Sequence, residues 1–135
     1  MKRRKCMNIE DVIKEAETKL SKKIVIEDEK NSMWQSIIKL SDFIELAPEK
    51  IWKFVAKWGN HESEDVRDAV ATCLLEHLLE LHFDTYFPAL EKEVLNEKLF
   101  YDMFCRCWNF GQSAIPINKK RFKDLCNKAE LKWAK

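Results

Sequence analysis

Histidine and carboxylate side chains are concentrated in one short stretch, EHLLELHFD at residues 76–84. Such side chains bind zinc or transfer protons, so this stretch is the first candidate for chemistry. The zinc-protease pattern needs two histidines four residues apart, with a glutamate beside the first. His77 and His82 are instead five residues apart and point about 140° apart on a helix. The spacing therefore predicts no metal site.

His77 could still act as a general base without a metal. It lies, however, in the centre of the apolar face of its helix, and the sequence pattern places no serine or cysteine nucleophile beside it. A histidine in that position ordinarily bonds to a carbonyl or a carboxylate inside the core. We therefore interpret His77 as a structural residue.

Cysteines are the next candidates, and the chain has five of them. Their odd number and the apolar helical stripes that carry three of them do not favour a disulfide framework, which indicates a reducing cytoplasm. Cys105 and Cys107 are two residues apart and face different directions on a helix, so they form neither a redox pair nor a zinc knuckle. We expect buried, unreactive thiols, with Cys6 near the amino end as the exception. The remaining two are Cys73 and Cys126.

Glycine is too scarce for a loop that cradles phosphate, since Gly59 and Gly111 are the only two glycines. No pair of carboxylates stands out from the many surface acids. The sequence therefore predicts no catalytic residue and no cofactor, and a protein that is not an enzyme.

The segment WNFGQSAIPIN, residues 108–118, places Trp108, Phe110 and Gln112 around a helix end and the loop after it. Two interpretations are open. Aromatic side chains next to an adaptable loop can anchor a partner protein. The same residues can instead hold the last helix against the core.

The elements that position these residues are predicted to be helices. Only two glycines and three prolines occur, which leaves little room for the turns of a sheet protein. The periodicity indicates an all-α fold of about seven helices in one domain, 1–135, with mobile ends at 1–8 and 133–135. No segment resembles a signal peptide or reaches membrane-spanning length, so we expect a soluble cytoplasmic protein.

Capping residues and prolines mark the helix ends, and an apolar trio at 24–26 is predicted as a short extended or buried anchor. Helix starts are expected at caps or at prolines in the first turn, and Gly59 is expected in a left-handed conformation after a helix end. The predicted starts are at Asn8, Ser32, Pro48, Ser63 and Pro88.

The helix over residues 66–82 is apolar around most of its circumference, so neighbours must cover it on several sides. Its narrow polar strip is expected to be exposed to solvent and contains Asp65, Thr72, Glu76 and Glu80. The apolar arc contains Val66, Val70, Cys73, Leu74, Leu78 and Leu81, extended by Ala71, Leu75 and Leu79.

The stretch SEDVRDAVATCLLEHLL resembles the inner helix of a HEAT-type repeat, in which an acidic residue and Val-Arg open the helix. Asp65, Val66 and Arg67 match that opening, and 48–58 matches the outer helix; the resemblance is clearest over residues 48–82. It implies a compact right-handed stack of antiparallel helix pairs, an α-α superhelix. In such a fold Arg67 has a structural role: its stem packs between helices and its guanidinium bridges carboxylates or carbonyls near the turn.

Charge is unevenly distributed along the chain. Residues 45–99 hold six Lys/Arg against twelve Asp/Glu, whereas residues 118–135 hold seven against two. An acidic middle argues against a nucleic-acid partner and favours another protein, a basic one, whose approach opposite charge would accelerate. A helical-repeat binding module is therefore predicted, with an immunity-type or antitoxin-type inhibitor as its narrower form. The expected partner-binding residues are Glu62, Glu64, Asp68, Glu76, Glu80, Asp84, Trp108, Phe110 and Gln112, and few of these acids have a Lys or Arg at helical spacing to pair with.

The alternative is a DNA-binding or DNA-alkylation-repair protein, as HEAT-like DNA glycosylases suggest by resemblance. It would use Trp52, Trp58 and Arg67 on a concave surface, together with a cationic end at Lys119, Lys120, Arg121 and Lys123.

Overall fold

A computed structural model describes residues 8–22 and 27–134, and every regular element in these ranges is helical. The all-α prediction is confirmed, while the right-handed superhelical stack stays a prediction. The helices are α1 (Ile9–Leu20), α2 (Glu27–Ser41), α3 (Pro48–Trp58), α4 (Glu64–Ala69), α5 (Glu76–Asn96), α6 (Lys98–Phe104) and α7 (Pro116–Trp133), with a π-helical segment at Val70–Leu75 and a 3₁₀ turn at Gly111–Ala114.

Local signals explain several helix starts. The side chain of Asn8 accepts the Asp11 N–H at 2.9 Å, Ser63 caps α4 in the same way, and Pro48 opens α3. The start at Ser32 was predicted too late, because α2 begins at Glu27. Three acids lie in its first turn, where their negative charge interacts favourably with the helix dipole.

Two further predictions at turn-forming residues were wrong. Pro88 does not open a helix but lies inside α5. Gly59 has a φ of −65°, which is right-handed. Its small size matters for packing instead, because a Cβ there would lie 2.7 Å from the terminal methyl carbon of Met103 and 2.9 Å from a ring carbon of Phe100.

The chain ends are covered by the structure only in part. The 24–26 anchor and residues 1–7 and 135 lie outside the described residues. Trp133, expected in a mobile end, is the last residue of α7, and its indole N–H donates to the Val94 carbonyl at 3.0 Å. This contact holds α7 against α5 up to its last turn.

The continuous helical stretch α4, π segment and α5 is the centre of the molecule. Helices α2, α3, α6 and α7 all pack against it. Val66, Val70, Leu74 and Leu78 are fully buried, as the apolar arc predicted, whereas Cys73 is only partly buried. Covering this stretch from several sides is what makes a single core possible.

The π segment changes which side chains the central helix exposes. A π-helical turn contains about one extra residue. Each residue after Leu75 therefore takes roughly the angular position that its predecessor would have on a regular helix. Glu76 consequently turns into the core and His77 turns outward, the opposite of the wheel prediction, while Leu78 and Leu79 stay buried.

Arginine side chains join the helices at one end of the bundle. Nε of Arg67 donates to Oδ2 of Asp102 at 2.8 Å, and its Nη1 donates to the carbonyls of His61 and Glu62. Nε of Arg106 donates to the same Asp102 oxygen at 3.0 Å. These are the contacts of a structural residue at Arg67, linking the α3–α4 turn to α6.

We expect Asp102→Asn to lower the free energy of unfolding by about 1 kcal/mol at neutral pH, a typical value for a networked, half-exposed ion pair. Burial opposes ionisation of this carboxyl, but the hydrogen bonds from Arg67 and Arg106 outweigh it and lower the pKa of Asp102. The stabilisation is therefore fully present above the pKa of an unfolded aspartate, about 3.9, and disappears as pH falls through the lower folded-state pKa.

Urea unfolding of both proteins across a pH series measures this effect. Asp124→Asn is the control, because among the described residues Asp124 pairs only with Lys120, at the exposed surface. A difference between wild type and Asp102→Asn that persists undiminished below pH 3 would contradict the role assigned to the ionised carboxylate.

Candidate functional site

His77 stands at the surface of the central stretch rather than in the core, so the core interpretation was wrong. Its side chain is 41% exposed. Nδ1–H donates to Oε1 of Glu80 at 2.8 Å, one turn later, and the ring stacks on Phe110 with centroids 6.2 Å apart and planes 8° apart. The imidazole is thereby held in one orientation by a carboxylate and an aromatic ring.

Glu76 was predicted on the wet strip but is only 5% exposed. Its Oε1 accepts the backbone N–H of Trp108 at 2.8 Å. A buried carboxylate that bonds a main-chain amide ties the turn after α6 to the start of α5. This contact also leaves the Trp108 side chain pointing outward, 72% exposed.

The 3₁₀ turn is fixed to the central stretch where α5 bends. His82 has φ −141° and ψ 45°, so the helical hydrogen bonds are interrupted there. The Gln112 amide replaces them: Nε2 donates to the Leu81 carbonyl at 2.7 Å, and Oε1 accepts the Phe83 N–H at 2.8 Å. Both ends of the Gln112 amide are therefore engaged in the fold, and its assignment as a partner-binding residue stays a prediction.

Gly111 allows this close approach. Its φ is +50°, and a Cβ there would lie 2.6 Å from Cγ of Glu80 and 2.8 Å from the Glu80 carbonyl oxygen. Glu80 thus packs its stem beneath the turn while its carboxylate bonds His77. The two interpretations of the 108–118 segment each apply to part of it: Gln112 holds the turn, and Trp108 and Phe110 are exposed.

A cleft of about 620 Å³ opens between the end of α2 and the start of α5. Sequence patterns did not single out its outer wall, residues 41–46, although Pro48 marks this segment as a connection. Leu46 is 84% exposed on that wall. The described residues that line the cleft are Ser41, Asp42, Ile44, Glu45, Leu46, His77, Glu80 and Leu81.

The cleft is acidic. Among the residues that the structure describes, three carboxylates and neither Lys nor Arg line it. Within the described ranges Asp42 and Glu45 form no ion pair, and Glu80 bonds only His77. The Ser41 hydroxyl donates to the Ile38 carbonyl. The arrangement is suited to binding a cation beside apolar and aromatic surface.

Other acids assigned to partner binding are paired across the structure. Arg106 binds Glu64 at 3.1 Å and Asp68 at 2.7 Å, and Arg121 binds Asp84 at 3.0 Å. These cations come from the turn after α6 and from α7, so the pairs lie outside the helical spacing to which the prediction referred. Glu62 is exposed.

The residues proposed for DNA contact are largely engaged in the fold. Trp52 packs between Tyr86 and Phe100, and the Trp58 indole N–H donates to Glu17 at 3.0 Å. On α7, Lys120 pairs with Asp124 and Arg121 lies over the rings of Phe83 and Phe87, whereas Lys119 and Lys123 are exposed. Most of these groups are therefore already occupied by contacts within the protein.

Residues 8–22 and 27–134 contain no group of three His, Cys, Asp or Glu side chains arranged to hold a metal ion. None of their helices combines the length and apolar character needed to span a membrane.

Comparisons with known protein families, with curated proteins and with solved structures returned no match to this chain.

Proposed function

We propose that this chain is a non-enzymatic protein-binding module and that the acidic cleft beside His77 is its docking site. The observation that carries the proposal is that three carboxylates, free of Lys or Arg partners among the described residues, line a cleft with the exposed Leu46 and with His77, whose ring stacks on the exposed Phe110. The exposed Trp108 precedes Phe110 by two residues. We call this surface, the cleft with Trp108 and Phe110, the docking surface.

The chemistry of the docking surface selects a basic partner. A Lys or Arg side chain entering the cleft would meet Asp42, Glu45 and Glu80 and could lie against an aromatic face. Exposed tryptophan and phenylalanine side chains supply the large apolar contacts that dominate binding energy. The Phe110 ring is already positioned by stacking on the His77 ring, and Glu76 fixes the main chain at Trp108, which reduces the ordering needed on binding.

A HEAT-like repeat scaffold and a role as inhibitor of a basic protein are the narrower forms of this proposal. The HEAT-like scaffold is supported by the helix pair α3 and α4, because Arg67 donates hydrogen bonds to two carbonyls of the turn that connects them. The second is supported by the acidic charge of the docking surface. DNA binding is the weaker alternative, because Trp52, Trp58 and Arg67 are occupied by internal contacts.

Phe110→Ala is expected to weaken binding of the partner, with a Kd about 5- to 30-fold higher, which corresponds to about 1–2 kcal/mol for an anchor residue. Glu45→Lys should chiefly slow association, because it reverses a charge that faces an incoming cation. The partner is first captured from extract of the source cell, and its Kd and rate constants are then measured by surface plasmon resonance.

Leu131→Ala is the matched control, since Leu131 is an exposed apolar residue, 78% accessible, on α7. Equal binding by Phe110→Ala and Leu131→Ala would place the interface elsewhere. A partner that proves to be duplex DNA, with binding lost steeply as salt rises, would favour the alternative.

A further inference from the structure

The basic charge of the last helix is a sequence feature that the proposed function does not use. Lysines outnumber acids on the exposed surface of α7, where Lys120 pairs with Asp124 at 2.8 Å. Among the residues that the structure describes, Lys119, Lys123 and Lys128 form no ion pair. These three lysines are therefore available to an anionic partner. The exposed charged residues of α7 are Lys119, Lys120, Lys123, Asp124, Lys128, Glu130 and Lys132.

The opposite side of α7 is held by the core. Its buried residues are Asn118, Phe122, Leu125 and Ala129. The Phe122 ring packs against Phe104 of α6, with centroids 4.4 Å apart. Cys105, the residue after Phe104, is exposed, so the expectation of a buried thiol was wrong there. Because the buried positions recur every three or four residues, the other side of α7 faces away from the core along the whole helix.

Exposed aliphatic side chains stand at both ends of that outward-facing side. Ile117, in the first turn of α7, is 69% exposed, and Leu131, in the last turns, is 78% exposed. They are fourteen residues apart, or about four helical turns, so they point to the same side about 21 Å apart along the axis. Lys120 and Lys123 lie between them. We call this surface the outer side of α7; its residues are Ile117, Lys120, Lys123, Lys128 and Leu131.

We propose that the outer side of α7 binds the surface of a bilayer that contains anionic phospholipids. A cluster of lysines on an amphipathic helix is attracted to the negative headgroups of such a bilayer. Aliphatic side chains beside the lysines enter the boundary between headgroups and acyl chains. Duplex nucleic acid would attract the same lysines through its phosphates but would leave Ile117 and Leu131 in water.

The contact is peripheral, because α7 lies on the bilayer surface while Phe122 and Leu125 stay packed in the core. It does not depend on the proposed function. The docking surface consists of the cleft beside His77 with Trp108 and Phe110, and none of its residues belongs to α7. A protein partner at the docking surface and a bilayer at α7 can therefore fail or succeed separately.

Co-sedimentation of the full chain with vesicles measures the partition coefficient. We expect binding to vesicles of equal parts phosphatidylserine and phosphatidylcholine, and binding more than about tenfold weaker to phosphatidylcholine alone. Binding to the anionic vesicles should fall as salt rises, because salt screens the headgroup charge. Equal partition into the two kinds of vesicle, or none into either, would overturn the proposal.

Lysine variants test whether α7 makes the contact. Lys123→Gln should lower the partition coefficient about fivefold, and Lys123→Gln/Lys128→Gln about 25-fold, the loss of one and two charges near an anionic surface. Lys53→Gln is the matched control, because it removes the same charge from α3, where Lys53 is 73% exposed. Equal losses for Lys53→Gln and Lys123→Gln would mean that net charge alone attracts the protein, and would remove α7 as the site.

Leu131→Ala distinguishes a bilayer from nucleic acid. It should weaken vesicle binding about 3- to 10-fold, because less apolar surface enters the bilayer. Binding to duplex DNA that is tighter than binding to the anionic vesicles, and unchanged by Leu131→Ala, would assign the lysines to nucleic acid and overturn the proposal. Circular dichroism checks that each variant is folded. If one is not, the wild-type comparison of the two kinds of vesicle decides.

Discussion

Leu74→Ala is expected to lower the free energy of unfolding by about 2–5 kcal/mol, the usual range for truncating a buried leucine. Leu74 has no exposed surface and lies in the π segment, against which α2, α3 and α6 pack. Removing three carbons there leaves a cavity. Because helices pack on three sides of it, they cannot all move in to fill it.

Urea unfolding followed by circular dichroism measures the loss, with Leu131→Ala as control. Leu131 is the same residue type but is 78% exposed, and its truncation should change stability by less than about 0.5 kcal/mol. A loss of that small size for Leu74→Ala would show that the π segment is not at the centre of the core.

Gly111→Ala should lower stability by about 2–5 kcal/mol. About 1–2 kcal/mol comes from placing a side chain on left-handed backbone, and about 1–3 kcal/mol from forcing a methyl group into occupied space. Gly111 has φ +50°, and the added carbon would meet both the side chain and the carbonyl oxygen of Glu80. The turn must move away from α5, which weakens the Gln112 hydrogen bonds at the bend.

The double variant Glu80→Ala/Gly111→Ala tests this origin. Truncating Glu80 removes Cγ but leaves the carbonyl oxygen and the backbone conformation, so adding Gly111→Ala should be less destabilising in this background. An unchanged increment would assign the whole effect to the backbone. A Gly111→Ala protein as stable as wild type would mean that the turn does not dock as closely as these distances require.

The same substitution links the fold to the proposed function. Trp108 and Phe110 precede Gly111, and their positions depend on the turn remaining against Glu76, His77 and Glu80. A displaced turn should weaken binding of a partner to the docking surface even at temperatures where the variant is fully folded. Binding is therefore to be compared at equal folded fraction, so that loss of stability and loss of positioning are distinguished.

Local patterns in the sequence were sufficient for the helical class and for several element boundaries. Caps such as Asn8 and Ser63, and Pro48 in a first turn, act within three or four residues, so their effect can be predicted without knowing the rest of the fold. Burial of Val66, Val70 and Leu74 followed from helical periodicity for the same reason.

The site itself was decided by the tertiary structure. A wheel assumes one constant rotation per residue, and the π segment breaks that assumption midway, so Glu76 and His77 exchanged their predicted environments. The bend at His82 is stabilised by Gln112, thirty residues later, through hydrogen bonds that no spacing rule contains.

Pairing across helices could not be predicted from the sequence either. Arg106 pairs with Glu64 and Asp68 on α4, and the Cys107 thiol donates to the Ala71 carbonyl. The sequence by itself determined which segments are helical and which faces are apolar, because those properties depend on near neighbours. Only the tertiary structure decided which charges, thiols and aromatic rings meet, because that depends on how the helices pack against one another.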